Sequence, residues 1–303
     1  MSLYVVFGGT GKLGGATIRE LSARGKEVRA VGRNASTADQ FRSLRCELAV
    51  ADLHDLNSVI AALRGADAVQ LICPPDVKAI QPLQDMALIT EVLVKALAVT
   101  RPKTIVAISD YGAHLNSGTG VTLAFHEFES RLRELDLPIT FLRSAEHMEN
   151  WRRNFAVVAK TGILPSMHQP LTKIFPTVSA LDVGVAAANL LMASHSKETR
   201  IVHMEGPKRY TVADVAQAFR VLTDREVVAH ELPRSEWVAR LTQGGSGEAY
   251  ARLVAELFDT HNKGLIDIER DVGEIWYGKT DLQNAFNRLK DDWSAVAGQS
   301  SGG

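Results

Sequence analysis

The amino-acid sequence predicts an α/β protein, a doubly wound parallel sheet with a smaller, mainly helical cap toward the C-terminus. Over residues 1–145, short apolar runs alternate with segments whose apolar residues recur at helical spacing. The runs are continuously apolar, which is typical of strands covered by helices on both faces. A glycine-rich turn follows the first run. Strand–helix–strand units of this kind join parallel strands through right-handed crossovers.

Six strands and five helices are predicted in this region. The strands are expected at 3–7, 27–31, 47–50, 68–73, 104–108 and 139–142. The helices are expected at 12–24, 37–44, 56–63, 81–99 and 123–135. The fourth strand ends at two prolines, which lack the N–H that a sheet ladder requires.

The alternation ends after residue 145, and this divides the predicted domains. Residues 1–145 form the sheet domain, to which 178–204 return with a helix and a strand; 146–177 and 205–298 form the cap; 299–303 form a disordered tail. Ligands bind beyond the carboxyl ends of the strands in open α/β sheets, so we expect the cap to cover that edge.

The composition limits the classes of function. A net charge of −1, without basic stretches interleaved with aromatic residues, argues against a nucleic-acid partner. No apolar stretch approaches the roughly 18 residues of a membrane span, and the N-terminus lacks the basic start of a secretory signal. Cys46 and Cys73 have no neighbour at metal or redox spacing. We therefore expect a cytoplasmic protein without a membrane partner.

The glycine-rich turn carries the most specific signal. Residues 8–15 read Gly-Gly-Thr-Gly-Lys-Leu-Gly-Gly, follow a predicted strand and open a predicted helix, which is the context that a dinucleotide fingerprint requires. Glycines let the backbone approach a pyrophosphate, and the helix N-terminus offers free N–H groups. The pyrophosphate is expected on Gly8, Thr10, Gly11, Lys12, Leu13 and Gly14.

The end of the second strand indicates which dinucleotide is preferred. NAD sites place an acid there to bind the ribose hydroxyls, whereas this sequence reads Val-Gly-Arg-Asn at 31–34. Arg33 is a permanent cation suited to a 2′-phosphate, and Asn34, Ser36 and Thr37 can add hydrogen bonds. A solvated loop arginine is the alternative. The sequence favours NADP(H), with NAD(H) still open.

Other residues are expected along the same cleft. Asp52, followed by Leu53, comes after the third strand, where its carboxylate either accepts from the adenine amino group or caps the next helix. Cys73 and Pro74 end the fourth strand beside the expected adenosine ribose. Ser109 follows the fifth strand, near the expected nicotinamide.

Several segments resemble the NmrA-like group of atypical short-chain dehydrogenase/reductases. The matching segments are 8–15, 28–33, 51–53, 72–75, 106–109 and 137–150. The last includes Leu-Arg-Ser and Met-Glu-Asn, with Ser144 where the family usually has proline. The resemblance covers about residues 1–192. It implies NAD(P) binding, a cap, and either reduction of quinones, azo dyes, aryl ethers or isoflavones, or redox sensing without turnover.

The residues for proton transfer depart from the superfamily pattern. The common Tyr-x-x-x-Lys is missing, because Tyr111 is followed by Gly-Ala-His and the helix at 123–135 contains neither tyrosine nor lysine. Where related reductases often carry lysine or histidine, Phe125 aligns, with His126 next. His126 and Tyr111 are the predicted catalytic residues, since imidazole titrates near neutrality and a phenol can orient or protonate a substrate. A satisfied helix-face histidine and a tyrosine stacked on the cap are the alternatives.

Three residues are predicted to line a substrate pocket where the chain leaves the sheet for the cap: His147, Asn150 and Trp151. Trp151 is alternatively a core residue. No metal site is predicted, because Asp52, His54 and Asp55 occupy a turn and helix start where carboxylates act as caps.

These observations favour an NAD(P)H-dependent oxidoreductase that transfers a hydride to a small organic acceptor. A flat quinone- or enone-like acceptor is favoured, since it can stack on a nicotinamide and draw its proton from water. Two alternatives stay open: an NAD(P)-sensing regulatory protein without turnover, and a dedicated biosynthetic reductase or isomerase. A homodimer is also open.

Overall fold

The computed structural model describes residues 2–34, 41, 44, 46–193 and 198–294. Its strands are β1 (Leu3–Phe7), β2 (Glu27–Gly32), β3 (Glu47–Val50), β4 (Ala68–Leu71), β5 (Thr104–Asp110), β6 (Ile139–Ser144), β7 (Glu146–His147), β8 (Ile163–Ser166), β9 (Thr177–Val178), β10 (Arg200–Glu205), β11 (Val228–Glu231) and β12 (Glu274–Tyr277). Its α-helices are α1 (Lys12–Ala23), α2 (Leu56–Leu63), α3 (Pro82–Thr100), α4 (Leu123–Arg133), α5 (Phe155–Thr161), α6 (Ala180–Met192), α7 (Val212–Thr223), α8 (Trp237–Gln243), α9 (Glu248–Asn262) and α10 (Leu282–Asn287).

Eight strands form one sheet in the order β12-β10-β6-β5-β4-β1-β2-β3. All of its pairings are parallel, as the apolar runs predict. The chain winds outward in one direction through β2 and β3 and in the other through β4, β5 and β6. The order therefore reverses beside β1, and a crevice opens there at the carboxyl ends of the strands. The doubly wound α/β prediction is confirmed.

Helices cover both faces of the sheet and explain why the central strands are largely apolar. Val5 and Val6 are neighbours on β1 and are fully buried on opposite faces. Val5 belongs to the cluster that contains Leu93 of α3 and Phe128 of α4. Val6 belongs to the cluster that contains Ile18 of α1 and Val183 of α6. A strand buried on both faces therefore has apolar residues at nearly every position.

A third cluster forms the core of the cap. It brings together Trp151 from the 3₁₀ segment Met148–Asn154, Phe155 of α5, Phe219 of α7 and Phe286 of α10. Two short parallel pairs, β8 with β11 and β7 with β9, complete this region. The cap joins the sheet domain through β6 and β7, so its first turn lies at the carboxyl edge of the sheet.

The C-terminal segment differs from the sequence prediction in two places. Strand β12 lies in 205–298, the range assigned to the cap, yet it pairs with β10 at the edge of the central sheet. Its residues are largely exposed, and its apolar run, Ile275 to Tyr277, is only three residues long. Helix α9 packs on the sheet domain through Val254, Ala255 and Phe258. The return of β10 to the sheet is confirmed by its parallel pairing with β6.

Two sequence predictions fall partly or wholly outside the described residues: the helix at 37–44 and the tail at 299–303. Within the described part of the chain, no helix combines the length and apolarity needed to cross a membrane.

Candidate active site

The glycine turn between β1 and α1 closes only because side chains are missing. Gly8 has a φ of +72°, a conformation that side chains disfavour. The Gly11 N–H donates to the Gly8 carbonyl at 2.9 Å. A Cβ on Gly14 would lie 2.2 Å from that same oxygen. Helix α1 begins at Gly11 without a side-chain cap, so its first N–H groups are left to a ligand.

A cavity of about 350 Å³ lies against this turn. Five of the six residues predicted to hold the pyrophosphate line it: Gly8, Gly11, Lys12, Leu13 and Gly14. Thr10 is exposed and is not part of this wall. The other lining residues are Ile72, His147, Glu149, Asn150, Arg152 and Ala180. Lys12 and Arg152 therefore bring two cations to a cradle of backbone N–H groups, which suits a pyrophosphate.

The residues at the end of β2 fit the NADP(H) prediction as far as they are described. Arg33 follows Gly32, the last residue of the strand, and is exposed. No acid occupies positions 32–34. Ser36 and Thr37, predicted to assist Arg33, lie outside the described residues. The phosphate-binding role of Arg33 stays a prediction.

Asp52 does not cap the helix that follows it. The cap of α2 is Asp55, whose side chain accepts from the Asn57 N–H at 3.0 Å. The exposed Asp52 carboxylate accepts the backbone N–H of His54 at 3.0 Å, and this lowers the pKa of Asp52. The capping alternative is therefore wrong, while adenine binding stays a prediction. Leu53 packs against the core cluster of the sheet.

Cys73 turns its side chain into the core. The thiol is buried, its Sγ lies 3.5 Å from the Met86 carbonyl oxygen, and burial raises its pKa to about 12. Pro74 is exposed, while the next residue, Pro75, lines a second and larger cavity. Any contact between Cys73 and a cofactor would involve its backbone.

The larger cavity, of about 1090 Å³, lies under the cap at the ends of β5 and β6. It shares His147, Glu149, Asn150 and Arg152 with the cavity at the glycine turn, so the two adjoin along these residues and together make up one cleft. Its wall includes the apolar residues Ile108, Phe125, Trp151, Met167, Leu241 and Phe258. The wall also carries many polar and charged residues, and a cleft that combines apolar residues with convergent polar groups is typical of small-molecule sites.

The three predicted substrate residues come together on this wall. His147, Asn150 and Trp151 all line the larger cavity. The His147 Nε2 lies 3.3 Å from the Ser144 Oγ, and burial lowers the pKa of His147. Trp151 is buried and also belongs to the core of the cap, so it is a core residue and a lining residue of the cavity at the same time. Their role toward a substrate stays a prediction.

The two predicted catalytic side chains are committed to other partners. The Tyr111 hydroxyl donates to the Glu205 carboxylate at 3.2 Å, and burial raises its pKa. Tyr111 is nevertheless among the residues that line the cavity. The His126 Nδ1 lies 2.9 Å from the Ala113 carbonyl oxygen, and His126 is not part of the cavity wall. The geometry favours structural roles for both.

Ser109 is also engaged in an internal network. Strand β5 continues to Asp110, two residues past its predicted end, so Ser109 lies within the strand. Its hydroxyl donates to Glu129 at 2.6 Å, and Glu129 forms a buried ion pair with Arg143 at 2.6 Å. Ser109 touches the cavity, but its polar atom is oriented by Glu129.

The cavity contains acids and bases that the sequence prediction missed, among them Asp110, Glu146 and His261. The Asp110 Oδ2 accepts from the Thr122 hydroxyl at 2.7 Å, and burial raises the pKa of Asp110 to about 7. Against the effect of burial, His168 at 2.8 Å lowers the pKa of Glu146 to about 2. Burial lowers the pKa of His261 to about 3. One signal was present in the sequence: Asp110 is a charged residue directly after an apolar strand.

The described residues contain no cluster of three or more histidine, cysteine or acidic side chains arranged to hold a metal ion.

The sheet, the glycine cradle and the cap define a Rossmann-like α/β protein with a covered cleft. The chain belongs to the NmrA-like family, whose model matches residues 2–282. The predicted family resemblance is thereby confirmed and extends beyond residue 192.

Three relatives illustrate this similarity. The chain is 23% identical to an NAD(P)H azoreductase of Xenophilus azovorans over 257 residues, which is 84% of this chain and 86% of the relative. It is similar to the structure of Citrobacter sp. triphenylmethane reductase, with a TM-score of 0.79, 20% identity, and coverage of 96% and 100% of the two chains. The Escherichia coli NADPH-dependent quinone oxidoreductase, solved with NADPH, gives a TM-score of 0.79, 20% identity, and coverage of 94% and 99%.

Proposed function

We propose that this protein is an NADPH-dependent reductase that transfers a hydride to a small, flat organic acceptor of the quinone or enone type. The observation that carries the proposal is the cleft made by the two adjoining cavities, one at the glycine cradle and one, with a mixed apolar and polar wall, under the cap. The azo-dye, triphenylmethane and quinone reductases to which the chain is similar support it.

The cradle supports dinucleotide binding on physical grounds. A Cβ on Gly14 would clash with the Gly8 carbonyl, so only glycine fits at this position. Without a side chain there, the backbone N–H groups at the start of α1 can approach a ligand closely. Gly8, Gly11, Lys12, Leu13 and Gly14 would hold the pyrophosphate, and Arg33 the 2′-phosphate. When bound, the cofactor supplies a hydride.

The larger cavity supports a conjugated acceptor over a simple polar one. Trp151, Phe125 and Phe258 offer aromatic faces and edges, which pack against flat rings. Arg153 lies over the Trp151 and Phe258 rings, with its guanidinium carbon 5.9 and 5.5 Å from their centroids. Its charge would favour acceptors that gain electron density on reduction.

A sensor without turnover is the second candidate, because the chain lacks Tyr-x-x-x-Lys. The cavity of about 1090 Å³ argues against it, since a sensor needs no substrate-sized space beside the cofactor. A dedicated biosynthetic reductase or isomerase would use the same cleft and differs only in its substrate.

The experiment that tests the proposal is NADPH oxidation, followed by absorbance, with quinones, enones, azo dyes, triphenylmethane dyes and aldehydes. We expect turnover with at least one conjugated class, faster with NADPH than with NADH. Calorimetric binding of NADPH is measured in parallel. Tight binding without turnover of any acceptor would support the sensor.

Replacing Arg33 tests the cofactor preference. We expect Arg33→Ala to weaken NADPH binding by about 10- to 100-fold, the value of a lost charge-assisted hydrogen bond, and to leave NADH binding nearly unchanged. Arg225→Ala is the matched control, since Arg225 is exposed and lines neither cavity. Equal losses for both dinucleotides would remove Arg33 from the 2′-phosphate site.

Two further assignments belong to the proposal. A cytoplasmic location is supported by the two free cysteines, Cys46 and Cys73, which fit a reducing compartment. Cell fractionation tests it. A homodimer stays a prediction, and light scattering of the purified protein decides it.

A further inference from the structure

We propose that Asp110, at the carboxyl end of β5, is the proton donor of the reduction and passes its carboxyl proton to the acceptor in the large cavity. The inference rests on the proposed function and names the acid that replaces the missing tyrosine–lysine pair. It differs from the sequence prediction, which placed this role on Tyr111 and His126.

The position of Asp110 is the first argument. It is the last residue of a central strand, and it is half-buried on the wall of the cavity. The Thr122 hydroxyl donates to its Oδ2 at 2.7 Å and so fixes the orientation of the carboxyl group. Thr122 belongs to the 3₁₀ turn Gly120–Thr122, which precedes α4. All three residues of this turn are buried. The acid is therefore held on rigid elements, as a proton donor requires.

The other acids and bases of the cavity wall are poor proton donors near neutral pH. Burial lowers the pKa of both His147 and His261, the latter to about 3, so both imidazoles are neutral. The Tyr111 proton is engaged with Glu205, and burial also raises the pKa of Tyr250. Two further carboxylates on the wall have partners of their own: Glu149 accepts from the Ser179 hydroxyl at 2.8 Å, and Asp292 pairs with Arg152 at 3.0 Å. The arginines of the wall are too basic to give up a proton.

Burial is the main reason why the pKa of Asp110 is raised to about 7, and the nearby Glu146 adds to it. His168 lies 2.8 Å and Arg153 lies 3.5 Å from the Glu146 carboxylate, and together they hold it ionised. Its negative charge adds to the effect of burial on Asp110, while the Thr122 hydroxyl opposes both. Tyr250 of α9 is the other titratable group that interacts with Asp110. Two carboxyl groups in one cavity thus take different protonation states, a pattern typical of acid catalysis.

The chemistry balances with NADPH as the two-electron reductant. The acceptor gains a hydride at one end of its conjugated system, and its π electron pair moves to the other end. There the Asp110 O–H bond breaks and a new bond to hydrogen forms, which leaves the acceptor reduced and Asp110 as a carboxylate. The carboxylate regains a proton from water through the cleft.

The first test is the isosteric substitution Asp110→Asn, which keeps an oxygen for Thr122 but has no acidic proton. We expect kcat to fall on the order of 10²-fold, the usual contribution of a general acid, with NADPH affinity unchanged. In the wild type, kcat should fall as pH rises through about 7, because the protonated form is lost there. This pH dependence should be absent from the variant. Asp136→Asn, an exposed aspartate in the turn before β6, is the control.

The second measurement does not depend on turnover. Infrared spectra of the cofactor-free wild type minus Asp110→Asn should show the C=O band of a protonated carboxyl group at neutral pH, and the band should disappear at alkaline pH. Absence of the band, or an unaltered pH profile in a folded Asp110→Asn enzyme, overturns the inference while the reductase proposal stands. A wild type that shows the band but reduces no acceptor overturns the proposed function instead.

Discussion

The two ends of the cleft are built in different ways. At the glycine end, the backbone of one continuous segment of eight residues, 8–15, forms the cradle. The turn can close because Gly14 has no Cβ. At the cap end, side chains from the ends of strands, from the 3₁₀ segment and from α9 meet only in the folded chain. Backbone sites leave a local pattern in the sequence, whereas a wall assembled from distant segments does not.

The largest effect on NADPH affinity is expected from a substitution in the glycine turn. Gly14→Ala places a Cβ 2.2 Å from the Gly8 carbonyl oxygen and 2.7 Å from its carbon, so the backbone of the turn must move. Overpacking of this kind costs about 1–3 kcal/mol, and we expect NADPH affinity to fall by roughly 10- to 100-fold. Calorimetric titration of the cofactor measures it.

Gly15→Ala is the matched control for that substitution. A Cβ at Gly15 meets only the end of the flexible Arg19 side chain at 3.4 Å and the Gly9 carbonyl at 3.5 Å. Affinity within about twofold of wild type is therefore expected, and alanine also favours the helix. If Gly14→Ala binds NADPH as well as Gly15→Ala does, the cradle is not the cofactor site.

The same contrast explains what could be predicted from the sequence. Strand β4 is buried at every position and β1 at four of its five, so their apolar runs identify them, whereas the largely exposed β12 has only a three-residue run and was missed. The spacing of Gly8, Gly11 and Gly14 in the sequence is enough to predict the dinucleotide-binding turn. Arg152, by contrast, reaches the pyrophosphate cavity from the cap, and no local pattern places it there.

The sequence could not predict the hydrogen-bond partners of side chains where those partners come from elsewhere in the chain. Ser109 and Tyr111 were correctly placed near the end of β5, but their hydroxyls bond Glu129, 20 residues away, and Glu205, 94 residues away. These acids are not visible as partners in a one-dimensional pattern. Asp110 lies between the two, and only the surrounding burial and charges set its protonation.

An effect of intermediate size is expected at the cap end, where substitution of Tyr111 should change stability more than turnover. Tyr111→Phe removes a buried hydrogen bond to Glu205, which keeps its ion pair with Arg209 at 2.6 Å. We expect the free energy of unfolding to fall by about 1 kcal/mol and kcat to stay near the wild-type value. Denaturant unfolding and steady-state kinetics measure the two quantities.

The opposite result would restore the catalytic role predicted for Tyr111. In that case kcat of Tyr111→Phe would fall by more than about tenfold while stability stayed unchanged. His126→Ala serves as a companion, since His126 bonds the Ala113 carbonyl and lines neither cavity. Its turnover is likewise expected to be retained once the variant is folded.

The smallest effect is expected at the exposed margin of the glycine end, where side chains rather than backbone make the contacts. His54 lies between Asp85 at 2.8 Å and Asp52 at 3.3 Å, and its hydrogen bond to Asp85 raises the pKa of His54. A raised histidine pKa stabilises the fold below the unfolded-state pKa, and this contribution is lost as pH rises through the folded-state value. The site is exposed, so His54→Gln should cost no more than about 1 kcal/mol in acid and less in alkali.

Unfolding curves of the wild type and His54→Gln at acidic and alkaline pH measure this difference. The same variant frees the Asp52 side chain from its imidazole partner, while the backbone N–H of His54 still holds the carboxylate. If Asp52 binds adenine, NADPH affinity should change in His54→Gln by less than in Gly14→Ala, because only one contact at the end of the cofactor is altered. A loss as large as that of Gly14→Ala would mean that side chains, and not the backbone alone, determine binding at the glycine end.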